Sequence, residues 1–254
     1  MLLAVANHRG SPGTTTTALL AARLAADARG VPTTLVEADS DGGILRHALQ
    51  GLDTQIGFTS WAAQVITDPT VTMFEHSQPI DVSTNARVLL APPTGGELVA
   101  SLETVRSTLL KNASHPKRMV VVDCGRLGSA AIDLFVKADV RWVLTQPEYP
   151  DLLSLRMLLD RMPSAAASIQ VLTRGDTPYD PTDLTEVGLH GATALPENPK
   201  VAKSLFGQET LSAKKFRRSP LVKTVNRLVP HIDLTEDADE DDADSDQVTL
   251  TLGG

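Results

Sequence analysis

The sequence predicts an α/β protein with a doubly wound, mainly parallel sheet and helices on both faces. Two observations carry this. Strand-like runs of nearly continuous apolar residues, "LLAVA" (2–6), "RMVVVDCG" (118–125) and "VRWVLTQP" (140–147), alternate with helix-like segments. Uninterrupted apolar strands are those buried on both sides, as in parallel sheets covered by helices. The hydrophobic fraction is 42% but aromatic residues are only 4%, so the core is built from Val, Leu, Ile and Ala.

The elements follow in order. After the first strand, residues 15–29 read as an Ala/Leu-rich helix ending at Gly30. "PTTLVEAD" (32–39) is a second strand, 44–50 and 58–66 are helical, and 68–85 has no clear period. "ARVLLAP" (86–92) is a strand stopped by Pro92-Pro93. Leu98, Leu102, Val105 and Leu109 recur at helical spacing within 96–111. Beyond the Val-rich strand at 118–125 come strands at 140–147 and 168–175 with a helix at 150–161 between them. A short strand is expected in 191–198, and helices at 198–206 and 220–229.

The net charge of −8 belongs to one end of the chain. From His231 onward there are nine Asp and Glu and no Lys or Arg, which leaves 22 acidic against 23 basic residues in 1–230. Such a segment buries too little apolar surface to offset its ordering entropy. Residues 231–254 are therefore expected to be a disordered acidic tail on a single domain of 1–230, serving solubility, self-masking or a partner. The one cysteine, Cys124, forms no intrachain disulfide and reads as a small core residue. The histidines show no pair at metal-ligand spacing, which argues against structural zinc. No apolar run reaches a membrane span, and "MLLAVA" is too short for a signal core, so a cytoplasmic location is expected.

The chemistry concentrates in "ANHRGSPGTTTTALLAARLAA" (6–26). A strand, a Gly-containing loop and a Thr-rich helix start form the context of a phosphate loop, where backbone N–H groups and a helix N-terminus hold oxyanions. Glu37 and Asp39 follow the second strand, and Asp123 ends the Val-rich one. In a parallel sheet, ligands bind at these carboxyl ends. A hydroxyl such as Thr15 and a strand-end Asp such as Asp123 suit magnesium, and a further carboxylate, Asp39, suits orienting an attacking water. The plainer readings are a capped helix for the loop, a turn cap for Asp123 and a solvated Asp-Ser-Asp-Gly turn for Asp39 and Asp41.

Taken together, these motifs resemble the MinD/ParA family of deviant Walker-A ATPases, whose loop reads N-x-K-G-G-x-G-K-T-T. Here it is Asn7-His8-Arg9-Gly10-Ser11-Pro12-Gly13-Thr14-Thr15-Thr16. The family's D-x-D-x-x-G is matched by Glu37-Ala38-Asp39-Ser40-Asp41-Gly42, and its Walker-B strand by "MVVVDCG". "ADVRWVLTQPEYPDLLSLRMLL" and "ALPENPKVAKSLFGQE" are similar to its later strand and helix and to its adenine-side loop. The resemblance implies a P-loop NTPase-like fold over about residues 1–230 and a dimerising, nucleotide-dependent positioning or partitioning protein with ATP and Mg2+. It implies that Arg9, Gly10, Ser11, Gly13, Thr14, Thr15, Thr16 and Asp123 contact the nucleotide. Thr15, Asp39 and Asp123 would serve the metal, Asp39 catalysis, and Thr173, Arg174 and Pro196 the base.

The departures define the expectation further. The family's P-loop lysine is Thr14 here and its signature lysine is Arg9; Ser11 replaces a Gly, and Pro12 lacks a backbone donor. Loss of one charge-assisted hydrogen bond costs roughly 1.5–3 kcal/mol, about 10- to 150-fold in affinity. Hydrolysis should suffer more than binding, because charge on the transferring phosphoryl group needs preorganised stabilisation. The alternatives are a competent ATPase relying on Arg9, and a nucleotide-free interaction module. "KKFRRSPLVKTVNRLV" (214–229) reads as a docked amphipathic helix with a basic lead-in. It also reads as a surface for DNA or an anionic membrane through Lys214, Lys215, Arg217 and Arg218, peripheral to nucleoid or membrane.

Overall fold

The computed structural model describes residues 1–10, 13–41, 43–80, 85–127, 130–162, 169–175, 179, 181–186, 189 and 192–230. Eight strands form one sheet in the order β3-β4-β2-β5-β1-β6-β7-β8. They are β1 (Leu2–Asn7), β2 (Thr33–Glu37), β3 (Gln78–Pro79), β4 (Ala86–Leu89), β5 (Met119–Arg126), β6 (Val140–Thr145), β7 (Ile169–Arg174) and β8 (Thr193–Leu195). Every pairing is parallel except that of β3 with β4 at the edge. The expected doubly wound, mainly parallel sheet is therefore present.

Side chains alternate across the sheet, as the period of two requires. From β1, Leu2, Ala4 and Ala6 enter one core; Leu3 and Val5 enter the other. The first core is covered by α3 (Phe58–Thr67), α4 (Gly95–Ala113), α5 (Ile132–Lys137), α6 (Tyr149–Leu159) and α7 (Pro181–Glu186). The second is covered by α1 (Thr14–Arg29), α2 (Leu45–Ala48), α8 (Pro199–Leu205) and α10 (Pro220–Leu228). Both faces of β1 and β5 are thus sealed, which is why these strands carry no solvent-facing polar alternation.

The structure corrects the sequence reading at several ends. β4 stops at Leu89, before the expected 92, because its next groups are used elsewhere: Leu90 O accepts from Phe58 N at 3.0 Å and Ala91 N donates to Glu37. Helix α10 begins at Pro220 as expected for 220–229, and the basic lead-in before it forms a short helix of its own, α9 (Ala213–Arg218). Pro220 supplies no N–H and favours an extended residue before it, and Ser219 has ψ 134°. Strand β3 and helices α5 and α7 were not anticipated; the first has only two residues and the helices six each. The expected tail at 231–254, and Ser11, Pro12 and Gly42 of the motifs, lie outside the described residues. No helix among the described residues is long and apolar enough to cross a membrane.

Candidate functional site

Three residues singled out from sequence meet at the carboxyl ends of β1, β2 and β5. In the sheet register Asp123 of β5 lies level with Val5 of β1 and Glu37 of β2. Asp123 is fully buried; its Oδ1 accepts from Gly125 N at 3.1 Å, and its Oδ2 has no hydrogen-bond partner. Burial pushes its pKa up to about 7; hydrogen bonding by Thr15 and Gly125 N pulls down against this, and Asp39 and Glu37 add to the rise. Thr15 stands in the first turn of α1, near enough for its hydroxyl to lower the Asp123 pKa.

Asp39 is brought into the same corner by a bulge. Between Val5 and Asn7 of β1 the register advances from Asp123 to Arg126, one residue more on β5. Gly125 sits in that bulge at φ +58°. A Cβ there would lie 2.1 Å from Asp39 Oδ1, so the Asp39 carboxylate occupies the space a side chain would fill. Asp39 Oδ1 also accepts from Asp41 N at 3.0 Å, and burial raises the Asp39 pKa. The bulge and the glycine were not read from sequence, although an isolated Gly inside a strand is a signal of close backbone approach.

Glu37, the first acidic residue of the second motif, has a structural task. Its Oε1 accepts from Leu45 N at 2.7 Å and its Oε2 from Ala91 N at 3.0 Å, which ties α2 and the end of β4 to β2. Burial nevertheless raises its pKa.

The loop between β1 and α1 is less regular. Gly10 and Gly13 have φ +57° and +88°, and a Cβ at either would meet nothing within 4 Å, so the backbone borders open space. Thr17 N is the first to bond back, to Gly13 O at 2.9 Å, so the earlier N–H groups of α1 have no intrahelical partner. Thr14, at the place of the P-loop lysine, is buried and accepts from Asn7 Nδ2 at 2.9 Å. Arg9 is 57% exposed and pairs with Asp151 of α6 at 3.5 Å. Gly10 is exposed and Thr16 half-buried.

Sequence reading missed three buried polar atoms near this loop: Asn7 Oδ1, His8 Nδ1 and Thr145 Oγ1, none of which has a partner. His8 Nε2 lies 2.9 Å from Ser154 Oγ, and burial lowers its pKa, with Arg9 adding, Asp151 opposing and Arg126 adding. Asn and Thr at strand ends were the available signal.

The residues expected at the base sit elsewhere. Thr173 and Arg174 end β7, and Pro196 follows β8. With strands about 4.8 Å apart, β7 lies two strands from β1, so a ligand joining the two ends would run along the carboxyl edge. Here the polar groups close on one another: Thr173 Oγ1 donates to Gly175 O at 3.3 Å, and Arg174 pairs with Glu197 at 2.7 Å. Cys124 is a buried core residue as expected, its thiol pKa pushed up by burial. The apolar side of α10 (Leu221, Val222, Val225) is docked in the core, while Lys214, Lys215, Arg217 and Arg218 are exposed.

Neither a protein-family model nor a curated protein sequence matches the chain. Solved structures do. A ParA family ATPase from Chlorobium tepidum aligns at TM-score 0.73 and 16% identity, over 90% of this chain and 98% of that one. The chain has the MinD/ParA fold. MinD from Pyrococcus horikoshii, complexed with Mg-ADP, aligns at TM-score 0.66 and 17% identity over 90% and 95% of the two chains. A putative plasmid partition protein from Borrelia burgdorferi, bound to AMPPNP, aligns at 0.63 and 11% over 88% and 97%. At these identities the likeness is one of fold.

The corner fits magnesium by its donors. Mg2+ is usually held by one or two carboxylates together with waters and substrate phosphates. Thr15, Asp123 with its unpartnered Oδ2, and Asp39 match that demand. Among the described residues no group of three or more His, Cys, Asp and Glu gathers as an all-protein metal site.

Proposed function

We propose that the chain is a nucleotide-dependent positioning or partitioning protein of the MinD/ParA type, a dimerising switch that binds ATP with Mg2+ and hydrolyses it slowly or not at all. The observation that carries this is the Asp123 corner. A fully buried carboxyl with an unpartnered oxygen, held beside Thr15 and near Asp39, is costly to a fold that makes no use of it. The nucleotide complexes of the Pyrococcus MinD and the Borrelia protein support the same ligand class.

In this reading the N–H groups at the start of α1 and the open loop at Gly10 and Gly13 cradle phosphate oxygens. Thr15 and Asp123 hold the metal, which when bound would supply positive charge to the β- and γ-phosphates. Asp39 orients water. Thr14 contributes its backbone N–H, since its hydroxyl is engaged by Asn7. Arg9, only loosely paired at 3.5 Å, is the cation available to the phosphates or to a facing copy. No lysine stands at the transferring phosphoryl group, which is the reason for slow turnover. A nucleotide-free module is the second reading, favoured by the Thr14–Asn7 bond that closes the lysine's place.

A thermal melt with millimolar Mg-ATP, ADP and GTP separates the two. A dissociation constant on the order of 100 μM gives about 1.4 kcal/mol of stabilisation at tenfold excess, a rise of about 3–6 °C for a chain of this size. A larger shift with ATP than ADP supports the switch. A cooperative melt that no nucleotide moves overturns it.

A further inference from the structure

On the face opposite α4 and α6, a groove of about 1040 Å3 runs between α1, the segment 204–213 and α10. Its lining combines apolar side chains, among them Leu24, Ile80 and Phe216, with Arg217 and Lys223. We propose that this groove is the docking site of the chain's own acidic segment, residues 231–254, held in cis.

Charge is the first argument. Residues 198–230 carry eight Lys and Arg against the single Glu209, and 231–254 carry nine Asp and Glu with no Lys or Arg. Four of the six residues of α9 are exposed cations, Lys214, Lys215, Arg217 and Arg218, and among the described residues none of them forms an ion pair. Like charges crowded on one turn repel, so this helix is built for an anionic neighbour. Asp27 and Glu209 also line the groove, so the match lies at the α9 and Lys223 side.

The path of the chain is the second. Arg29 at the end of α1 donates to Pro230 O and, at 2.8 Å, to Asn226 O. Asn226 itself lines the groove, so the last described residue, Pro230, is held close to it. An extended chain covers about 3.3 Å per residue, and the acidic run begins at Glu236, within reach of α9. Past it, "QVTLTL" (247–252) alternates polar and apolar residues, the pattern of an extended segment with one apolar side. The acidic run would face the cations, and Val248, Leu250 and Leu252 the apolar floor.

Carbodiimide cross-linking of the full chain, read by peptide mass spectrometry, tests this. The expected result is amide links from Lys214, Lys215 or Lys223 to carboxylates in 236–246, found in the monomer, unchanged by dilution and lost in about 0.5 M salt. Links confined to dimers and lost on dilution overturn the cis arrangement. Absence of these links in low salt, while others form on the body, overturns the docking. A dye on Ser245→Cys is the second readout, because Cys124 is buried. Its low-salt anisotropy should fall when Lys214, Lys215, Arg217 and Arg218 are all changed to Glu; an unchanged value overturns the proposal.

Discussion

The carboxyl edge of the sheet is built in two different ways on either side of β1. Toward β5 and β2, ionisable groups are packed in against their preference: Asp123 has an oxygen without a partner, and burial raises the pKa of Asp123, Asp39 and Glu37 together. Toward β7 and β8, polar groups satisfy one another, Thr173 on Gly175 and Arg174 on Glu197. The first arrangement costs stability, a cost that folds commonly carry at functional positions; the second pairs its polar groups internally. Buried, incompletely paired carboxyls thus gather on one side of β1, and mutually paired polar groups on the other.

The largest effect should come from Asp123→Asn. Burial holds the Asp123 pKa at about 7, above an unfolded value of about 3.9. The folded chain therefore keeps a proton that the unfolded chain releases. Its contribution to stability is full below about pH 4 and is lost as pH rises toward 7. Removing the ionising group should raise stability near pH 8 by on the order of 2–4 kcal/mol, and flatten the pH dependence between about 4 and 7. The same variant should lose any Mg-ATP-induced shift. A variant less stable than the parent at that pH would break the comparison at its strong end.

Gly125→Ala comes next. The position has φ +58° and the new Cβ would strike Asp39 Oδ1 at 2.1 Å. A loss of about 1–3 kcal/mol is expected in a denaturant melt. Adding Asp39→Ala should recover the steric part and leave the backbone part, which sharpens how tightly the bulge seats Asp39. Glu37→Gln should cost about 1–2 kcal/mol, because an amide offers one acceptor where Leu45 N and Ala91 N need two. It should do so without changing nucleotide response at equal fraction folded.

The fold was legible because its signal is local: an apolar strand such as "MVVV" declares two-sided burial by itself. The residue types of the proposed site were legible too, Asp39 and Asp123 after strands and Thr15 at a helix start. What escaped reading depends on partners far along the chain. Glu37 bonds Ala91, 54 residues away, and nothing near Glu37 announces it. Gly125 is needed because Asp39 arrives from another strand. Asn7 turning to Thr14 decides what the loop's altered position does, and the sequence shows only that the lysine is missing. The start of α10 was readable at Pro220, but the short helix α9 in the basic lead-in before it was not.

The smallest effects test the other side of the comparison. Arg9→Ala and Arg174→Ala each remove an exposed ion pair, worth about 0–1 kcal/mol to stability. Their consequences for ligand should differ. Arg9 stands beside the open loop, so its loss should weaken ATP-induced stabilisation about tenfold in apparent affinity, the value of one charge-assisted contact. Arg174 is spent on Glu197, so Arg174→Ala should leave the ATP and GTP shifts as they are in the parent. Titrating both nucleotides against both variants reads the two predictions in one experiment. A selective loss of the ATP shift in Arg174→Ala would mean that the pair with Glu197 opens to read the base. The two halves of the edge would then differ only until a ligand binds, and the closed half would be a resting state of a working site.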